Sequence, residues 1–126
     1  MVNGIHRALT KANDELGISS NLIMCFLRHL DEAEAFITLE QAIEHKSKII
    51  GVGLDSTEVG HPARKFERVF NEAITHGFLT VAHAGEEGPA SNISEAIALL
   101  NVSRIDHGVR CIEDNELIEK LIVERI

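Results

Sequence analysis

The sequence predicts an α/β fold: one partial domain over residues 1–126, in which about four strand–helix units follow an initial helix. Two observations support this prediction. Short apolar runs alternate with longer stretches whose apolar residues recur at helical spacing. The composition, 44% hydrophobic and 25% charged, is typical of a folded soluble protein and not of a disordered chain.

The first helix and the first strand–helix unit occupy the N-terminal third of the chain. Apolar residues at helical spacing predict a helix over residues 3–16. The continuous apolar run at 21–27 predicts a buried strand. Asp31 and Glu34 then resemble a capping box, which predicts a helix from there to about residue 45.

Three further units follow in the same order. Their predicted strands are the apolar runs at 48–54, 78–83 and 103–107. Pro62 is predicted at the first position of the helix after the second strand, because proline suits that position. Asn92 with Glu95 is predicted to cap the helix after the third strand.

Regular alternation of strands and helices predicts a parallel sheet with right-handed crossovers. Two architectures are compatible with it, an open doubly wound sheet and part of a (β/α)8 barrel. A complete barrel requires eight units in about 250 residues, so four units in 126 residues correspond to about half of one. In both architectures, functional sites form at the C-terminal ends of the strands.

Charge and cysteine usage exclude several functional classes. A formal charge of −8 has the wrong sign for binding a phosphate backbone, so no nucleic-acid partner is expected. The two cysteines, Cys25 and Cys111, lie in or beside apolar segments without metal-site spacing, which favours buried free thiols in a reducing cytoplasm. No apolar run is long enough for a membrane span, so no membrane partner is expected.

Chemically capable side chains cluster where three neighbouring strands are predicted to end. The second strand ends at Asp55, the third at His83 with Glu86 three residues later, and the fourth at His107. A single histidine at a strand end is usually structural, but two on adjacent strands with a carboxylate nearby favour a metal site. Neutral imidazole binds Zn²⁺, and a carboxyl group transfers protons to and from substrate or water. This pattern indicates part of a metal-dependent hydrolase site.

Structural interpretations of the same residues remain open. Asp55 is also suited to satisfying turn and cap donors. Glu86 and Glu87 are also suited to being solvated charges near a helix N-terminus. A phosphate-binding loop is excluded at 85–88, since GEEG lacks the Lys-Ser/Thr pair and places two carboxylates where an anion would bind.

Three segments closely resemble the adenosine/adenine deaminase family of metal-dependent hydrolases: GLDSTEVGHP at 53–62, VAHAGEEGP at 81–89 and RIDHGVRCIED at 104–114. The resemblance extends over nearly the whole chain, and the LDS-E-GHP form is more similar to the adenine deaminase branch. It implies a (β/α)8 TIM barrel, one catalytic Zn²⁺, and hydrolysis of adenine to hypoxanthine and ammonia. Deamination of adenosine to inosine is the alternative within the family.

The resemblance also implies roles for individual residues. His83 matches a zinc ligand. Glu86, the first glutamate of the motif rather than the second, matches the general acid/base that protonates purine N1. His107 matches the residue that orients and polarises the water on zinc. Leu54 and Asp55 match a wall of the substrate pocket.

Two family motifs have no counterpart in these 126 residues, namely the H-x-H pair of the first strand and the Asp-Asp pair of the last. We therefore expect an internal fragment that alone binds zinc weakly and deaminates nothing. The expected partner of the full-length enzyme is a small-molecule purine. An alternative of another class is a non-catalytic remnant that self-associates through exposed strand edges and apolar faces.

Overall fold

Five helices alternate with four strands along the chain, and the computed structural model describes all residues from 1 to 126. The strands are β1 (Leu22–Leu27), β2 (Ile49–Asp55), β3 (Leu79–Ala84) and β4 (Arg104–His107). The helices are α1 (Val2–Leu16), α2 (Glu32–Glu44), α3 (Glu67–Thr75), α4 (Ala90–Leu100) and α5 (Asn115–Glu124), with short 3₁₀ helices at Ala63–Phe66 and Val109–Glu113. Every predicted strand and helix is present, with bounds within one helical turn of those expected.

The four strands form one parallel sheet in the order β1-β2-β3-β4. At their C-terminal ends Leu27 pairs with Asp55, and Ala84 pairs with His107. Because neighbouring strands are parallel and consecutive in sequence, each connection is a crossover that contains a helix. All four C-terminal ends therefore meet along one border, here named the strand-end edge (residues 27–29, 55–58, 83–88 and 106–108).

One face of the sheet packs against α2, α3 and α4 and forms the hydrophobic core. Val52 and Leu54 of β2 are fully buried there, and the ring of Phe26 meets that of Phe70 edge-on with centroids 5.7 Å apart. By contrast, α1 buries no residue and α5 buries only Leu117. The strands that carry the polar strand-end residues are thus anchored by helices on one side only. Separately, no helix is both long and apolar enough to cross a membrane.

Two helix starts differ from the sequence prediction. Helix α4 begins at Ala90 with Pro89 at its N-cap, so Asn92 and Glu95 lie inside the helix and the predicted cap is wrong. The Asn92 side chain instead donates a hydrogen bond to a carboxylate of another loop, which local sequence cannot reveal. Pro62 lies at the N-cap of the first 3₁₀ helix, one residue before the predicted position.

The two aspartates at helix starts behave differently. Asp31 is the N-cap residue of α2, as predicted, but its side chain makes no capping hydrogen bond and lies 3.6 Å from Lys65 Nζ. Asp114 caps α5 fully, since its Oδ1 accepts from the N–H groups of Glu116 (3.0 Å) and Leu117 (3.1 Å). These hydrogen bonds satisfy N–H groups that a helix cannot satisfy internally.

Candidate active site

Strand alternation brings Asp55, His83 and Asp106 to the sheet face that carries no helix. Successive side chains of a strand point to opposite faces, so Asp55 lies opposite the face on which Leu54 is buried. His83 pairs in register with Asp106 on the neighbouring strand. As a result, His83 Nε2 lies 3.1 Å from Asp55 Oδ1 and 3.7 Å from Asp106 Oδ2.

His107 turns toward the same place at the end of β4. Its backbone adopts a left-handed conformation with φ of 67°, which is uncommon for a residue other than glycine. The His107 ring packs edge-on against that of His83, with centroids 4.6 Å apart, and its Nε2 lies 3.3 Å from Glu86 Oε2. Backbone strain of this kind is found where the surrounding structure fixes a side-chain direction, often at functional sites.

The donor atoms of His83, Glu86 and His107 all lie within 4.8 Å of one another. Imidazole nitrogen and carboxylate oxygen are ligands that Zn²⁺ accepts. The carboxylates of Asp55 and Asp106 add negative charge beside His83, which favours a bound cation. The donors present at this edge therefore fit part of a zinc site, and their side chains are partly exposed and accessible to a ligand.

Buried Arg28, which sequence reasoning missed, supports the main chain of this site. Its Nη2 donates to the carbonyl oxygen of His83 at 2.9 Å, and its backbone N–H donates to that of Asp55 at 3.0 Å. Burial lowers the pKa of Arg28, while the carboxylates of Glu58 and Glu95 oppose that shift. The signal in the sequence was a charged residue directly continuing the apolar run of β1.

Glu58 is a second residue that sequence reasoning left without a role. Its buried carboxylate accepts from the backbone N–H groups of residues 85–88 at 2.8 to 3.2 Å and from Asn92 Nδ2 at 3.1 Å. Burial alone raises the pKa of Glu58, but these hydrogen bonds outweigh it and lower the pKa to about 2. Glu58 therefore stays ionised.

The positions of Leu54 and Glu87 bear on the roles predicted for the substrate-pocket wall and for the two adjacent glutamates. The Leu54 side chain is 0% exposed among helix residues, so the expected contact of this side chain with a substrate is not supported. Glu87 turns away from the histidines, because its Oε2 accepts from Thr57 Oγ1 (2.6 Å) and from the N–H of Glu58 (3.0 Å). The Thr57 hydrogen bond is the main cause that lowers the pKa of Glu87.

Cys25 lies beneath Asp55 on the face without helices. Burial, followed by the neighbouring Asp55 carboxylate, raises the pKa of the Cys25 thiol to about 12. A cysteine nucleophile must be a thiolate, so the raised pKa disfavours that role for Cys25. Cys25 and Cys111 are free thiols, as predicted, although each is half-buried rather than fully buried.

A polar pair continues the edge beyond Asp55. His29 Nδ1 and Ser56 Oγ are 2.8 Å apart, and Ser56 adopts a positive φ of 83°. His29 is exposed and lies in the turn after β1, at the strand-end edge.

Comparison with known proteins identifies the family of the chain. The family model described as adenosine deaminase matches residues 1–126, the whole chain. The chain belongs to the adenosine deaminase family. The resemblance of its three strand-end motifs to this family is therefore confirmed.

Relatives in this family are similar along the full length of the chain. It is 61% identical over 122 residues to an adenine deaminase of Vibrio parahaemolyticus and 60% identical over 126 residues to one of Acinetobacter baylyi. These alignments cover 97% and 100% of the chain but 36% and 38% of the relatives. The chain thus spans less than two fifths of the length of these two relatives.

Solved structures confirm the fold. The chain superposes on adenine deaminase from Arthrobacter aurescens with a TM-score of 0.93 and 46% identity, covering 99% of this chain and 38% of that one. It superposes on an amidohydrolase from Burkholderia ambifaria with bound Zn with a TM-score of 0.90 and 31% identity, covering 98% of this chain and 34% of that one. The four parallel strands form part of a (β/α)8 barrel, which excludes the open doubly wound sheet.

Proposed function

We propose that the chain is part of an enzyme that hydrolyses adenine to hypoxanthine and ammonia. The observation that carries this proposal is the convergence of His83, Glu86 and His107 within 4.8 Å at the strand-end edge. Adenine is favoured over adenosine by the LDS-E-GHP sequence at 54–62 and by relatives of 56% to 61% identity that are named adenine deaminase.

Zinc is the metal proposed for the full-length enzyme, with His83 as the ligand that this chain supplies. When bound, zinc lowers the pKa of a coordinated water to about 7 and so makes a nucleophile available at neutral pH. A solved relative with 31% identity carries bound Zn, which supports this choice. Asp55 and Asp106 contribute negative charge beside His83 and favour retention of a cation.

Glu86 and His107 are proposed to move and orient protons. Glu86, in its protonated form, donates a proton to purine N1 while a water oxygen adds to C6. His107 lies 3.3 Å from Glu86 and orients the attacking water through its imidazole. One proton of the water reaches N6 as the C6–N6 bond breaks and ammonia leaves, and the other restores the protonated form of Glu86, so that one water is consumed for each adenine. Asp55 is proposed to contact the purine from the end of β2.

Steady-state kinetics of the full-length protein with both purines test the proposed function. We expect kcat/KM for adenine to exceed that for adenosine by at least about 100-fold, because a pocket shaped for the free base excludes ribose. Removal of metal by a chelator should abolish turnover, and Zn²⁺ should restore it. A higher kcat/KM for adenosine would reassign the substrate, and the absence of turnover with either purine would support the non-catalytic alternative.

A further inference from the structure

Glu58 is the most buried carboxylate of the strand-end edge, and the proposed chemistry does not use it. Glu58 lies in the loop after β2 and is only 4% exposed. Its carboxylate contacts Asn92, which lies in the first turn of α4. A buried charge requires full compensation by hydrogen bonds or opposite charges, so its contacts indicate what it does.

Both oxygens of Glu58 are used as acceptors. Oε1 accepts from the N–H of Gly85 (2.9 Å) and from Asn92 Nδ2 (3.1 Å). Oε2 accepts from the three consecutive N–H groups of residues 86–88, at 2.8, 2.9 and 3.2 Å. Successive backbone N–H groups that point to one place form an anion-binding concavity. In this chain the bound anion is the side chain of Glu58.

The loop that Glu58 binds is fixed from two further directions. Glu87 Oε2 accepts from Thr57 Oγ1 at 2.6 Å and from the Glu58 N–H at 3.0 Å, so the two loops are joined by hydrogen bonds in both directions. Gly85 has a φ of +71°, and a Cβ placed there would lie 2.5 Å from Ile93 Cδ1. The main chain of this loop therefore lies directly against α4.

We infer that Glu58 is a positioning residue, which fixes the main chain of residues 85–88 so that the Glu86 carboxyl group faces His107. Glu58 acts through Glu86 and does not contact the substrate. This role rests on the proposed function, because it requires Glu86 to transfer the proton. A glutamine at position 58 has a single acceptor oxygen, so its NH₂ group would face at least two donors.

The test is Glu58→Gln in the full-length protein. We expect kcat per bound zinc to fall about 10- to 100-fold, since displacement of a reacting group by about 1 Å costs up to that factor. KM and zinc content should change less than about 3-fold, because Asp55 and His83 lie on strands that do not depend on these hydrogen bonds. Hydrogen–deuterium exchange at the amides of 85–88 should be at least about tenfold faster.

Glu95→Gln is the matched control. Glu95 is also a carboxylate at the interface of α4 with a loop, where it accepts from the Ala63 N–H at 3.2 Å and from Arg64 Nη1 at 2.9 Å. It forms no hydrogen bond with residues 85–88, so kcat and exchange at those amides should remain at the wild-type values. Glu58→Asp keeps both acceptor oxygens and the charge, and should recover part of the lost kcat.

A folded, zinc-loaded Glu58→Gln variant with wild-type kcat, or with unchanged exchange at 85–88, would overturn the inference. If this variant does not accumulate as folded protein, kcat of Glu58→Asp is the test. The shorter side chain of that variant should still lower kcat about 3- to 10-fold. Wild-type kcat in that variant overturns the inference as well. Hydrogen–deuterium exchange does not require a substrate. If exchange at 85–88 is faster in Glu58→Gln but the wild type does not turn over adenine, the proposed function is rejected. Glu58 then remains the residue that fixes the loop.

Discussion

Glu86 and Glu87 are adjacent in sequence but have different surroundings. Glu86 points to His107, with Oε2 and Nε2 3.3 Å apart. Glu87 points in the other direction and accepts hydrogen bonds from Thr57 and from the Glu58 main chain. The backbone of residues 85–88, fixed by Glu58, determines this difference. It supports the assignment of proton transfer to Glu86 alone.

Glu86→Gln and Glu87→Gln form a matched pair that tests this assignment. Glu86→Gln should lower kcat by at least about 100-fold, since it removes a group that donates and accepts a proton. Glu87→Gln should keep kcat within about 3-fold, because its remaining oxygen accepts the same two hydrogen bonds. Adenine turnover measured on both variants checks this, and equal losses would contradict the separate roles.

The residues whose roles sequence analysis predicted differ in kind from those whose roles it missed. Asp55, His83 and His107 were predictable because they end apolar strands, and parallel strand ends meet at one edge. Glu58, Arg28 and Asn92 act through hydrogen bonds to the main chain or side chain of other segments, which no periodicity or spacing encodes. The burial of Leu54 follows from strand alternation: Asp55 and its neighbour point to opposite faces.

At the scale of elements, helix starts were the least predictable feature. Asp31 and Asp114 both precede helices, yet only Asp114 forms side-chain capping hydrogen bonds. The Asp31 side chain lies near Lys65, on a segment more than thirty residues away in sequence. Strand and helix locations were predictable because apolar periodicity reflects packing on the sheet, whereas the choice of a capping partner depends on nearby tertiary contacts.

Asp114→Ala and Asp31→Ala test this difference in capping. Asp114→Ala should lower the free energy of unfolding by about 1 kcal/mol, the usual effect of losing a side-chain cap. Asp31→Ala removes only a weak, exposed ion pair and should cost less than about 0.5 kcal/mol. Urea unfolding of the two full-length variants measures both losses. A larger loss for Asp31→Ala would contradict the capping described here.

The whole molecule has one sheet face covered by helices and one face that carries the candidate site. Leu27 and Leu79 remain exposed at 45% and 58%, consistent with strands that form part of a larger barrel. The fold class was predictable from the alternation of strands and helices. The choice between barrel and open sheet was not, because a local pattern does not fix how a sheet closes, and comparison with solved barrels decided it.

The expected inactivity of the isolated chain and its self-association stay predictions. The chain spans 36% to 40% of the length of its curated relatives, and the proposed zinc site needs donors beyond His83. Activity and metal binding are therefore properties to measure on the full-length protein.

Anomalous diffraction at the zinc absorption edge from crystals of the full-length protein tests the central claim most directly. We expect a single strong peak about 2.0 to 2.1 Å from an imidazole nitrogen of His83, on the sheet face that also carries Asp55 and Asp106. A zinc peak bound away from His83, or an enzyme that turns over adenine with no metal at this edge, would contradict the assignment of the strand-end edge as a metal-dependent deaminase site.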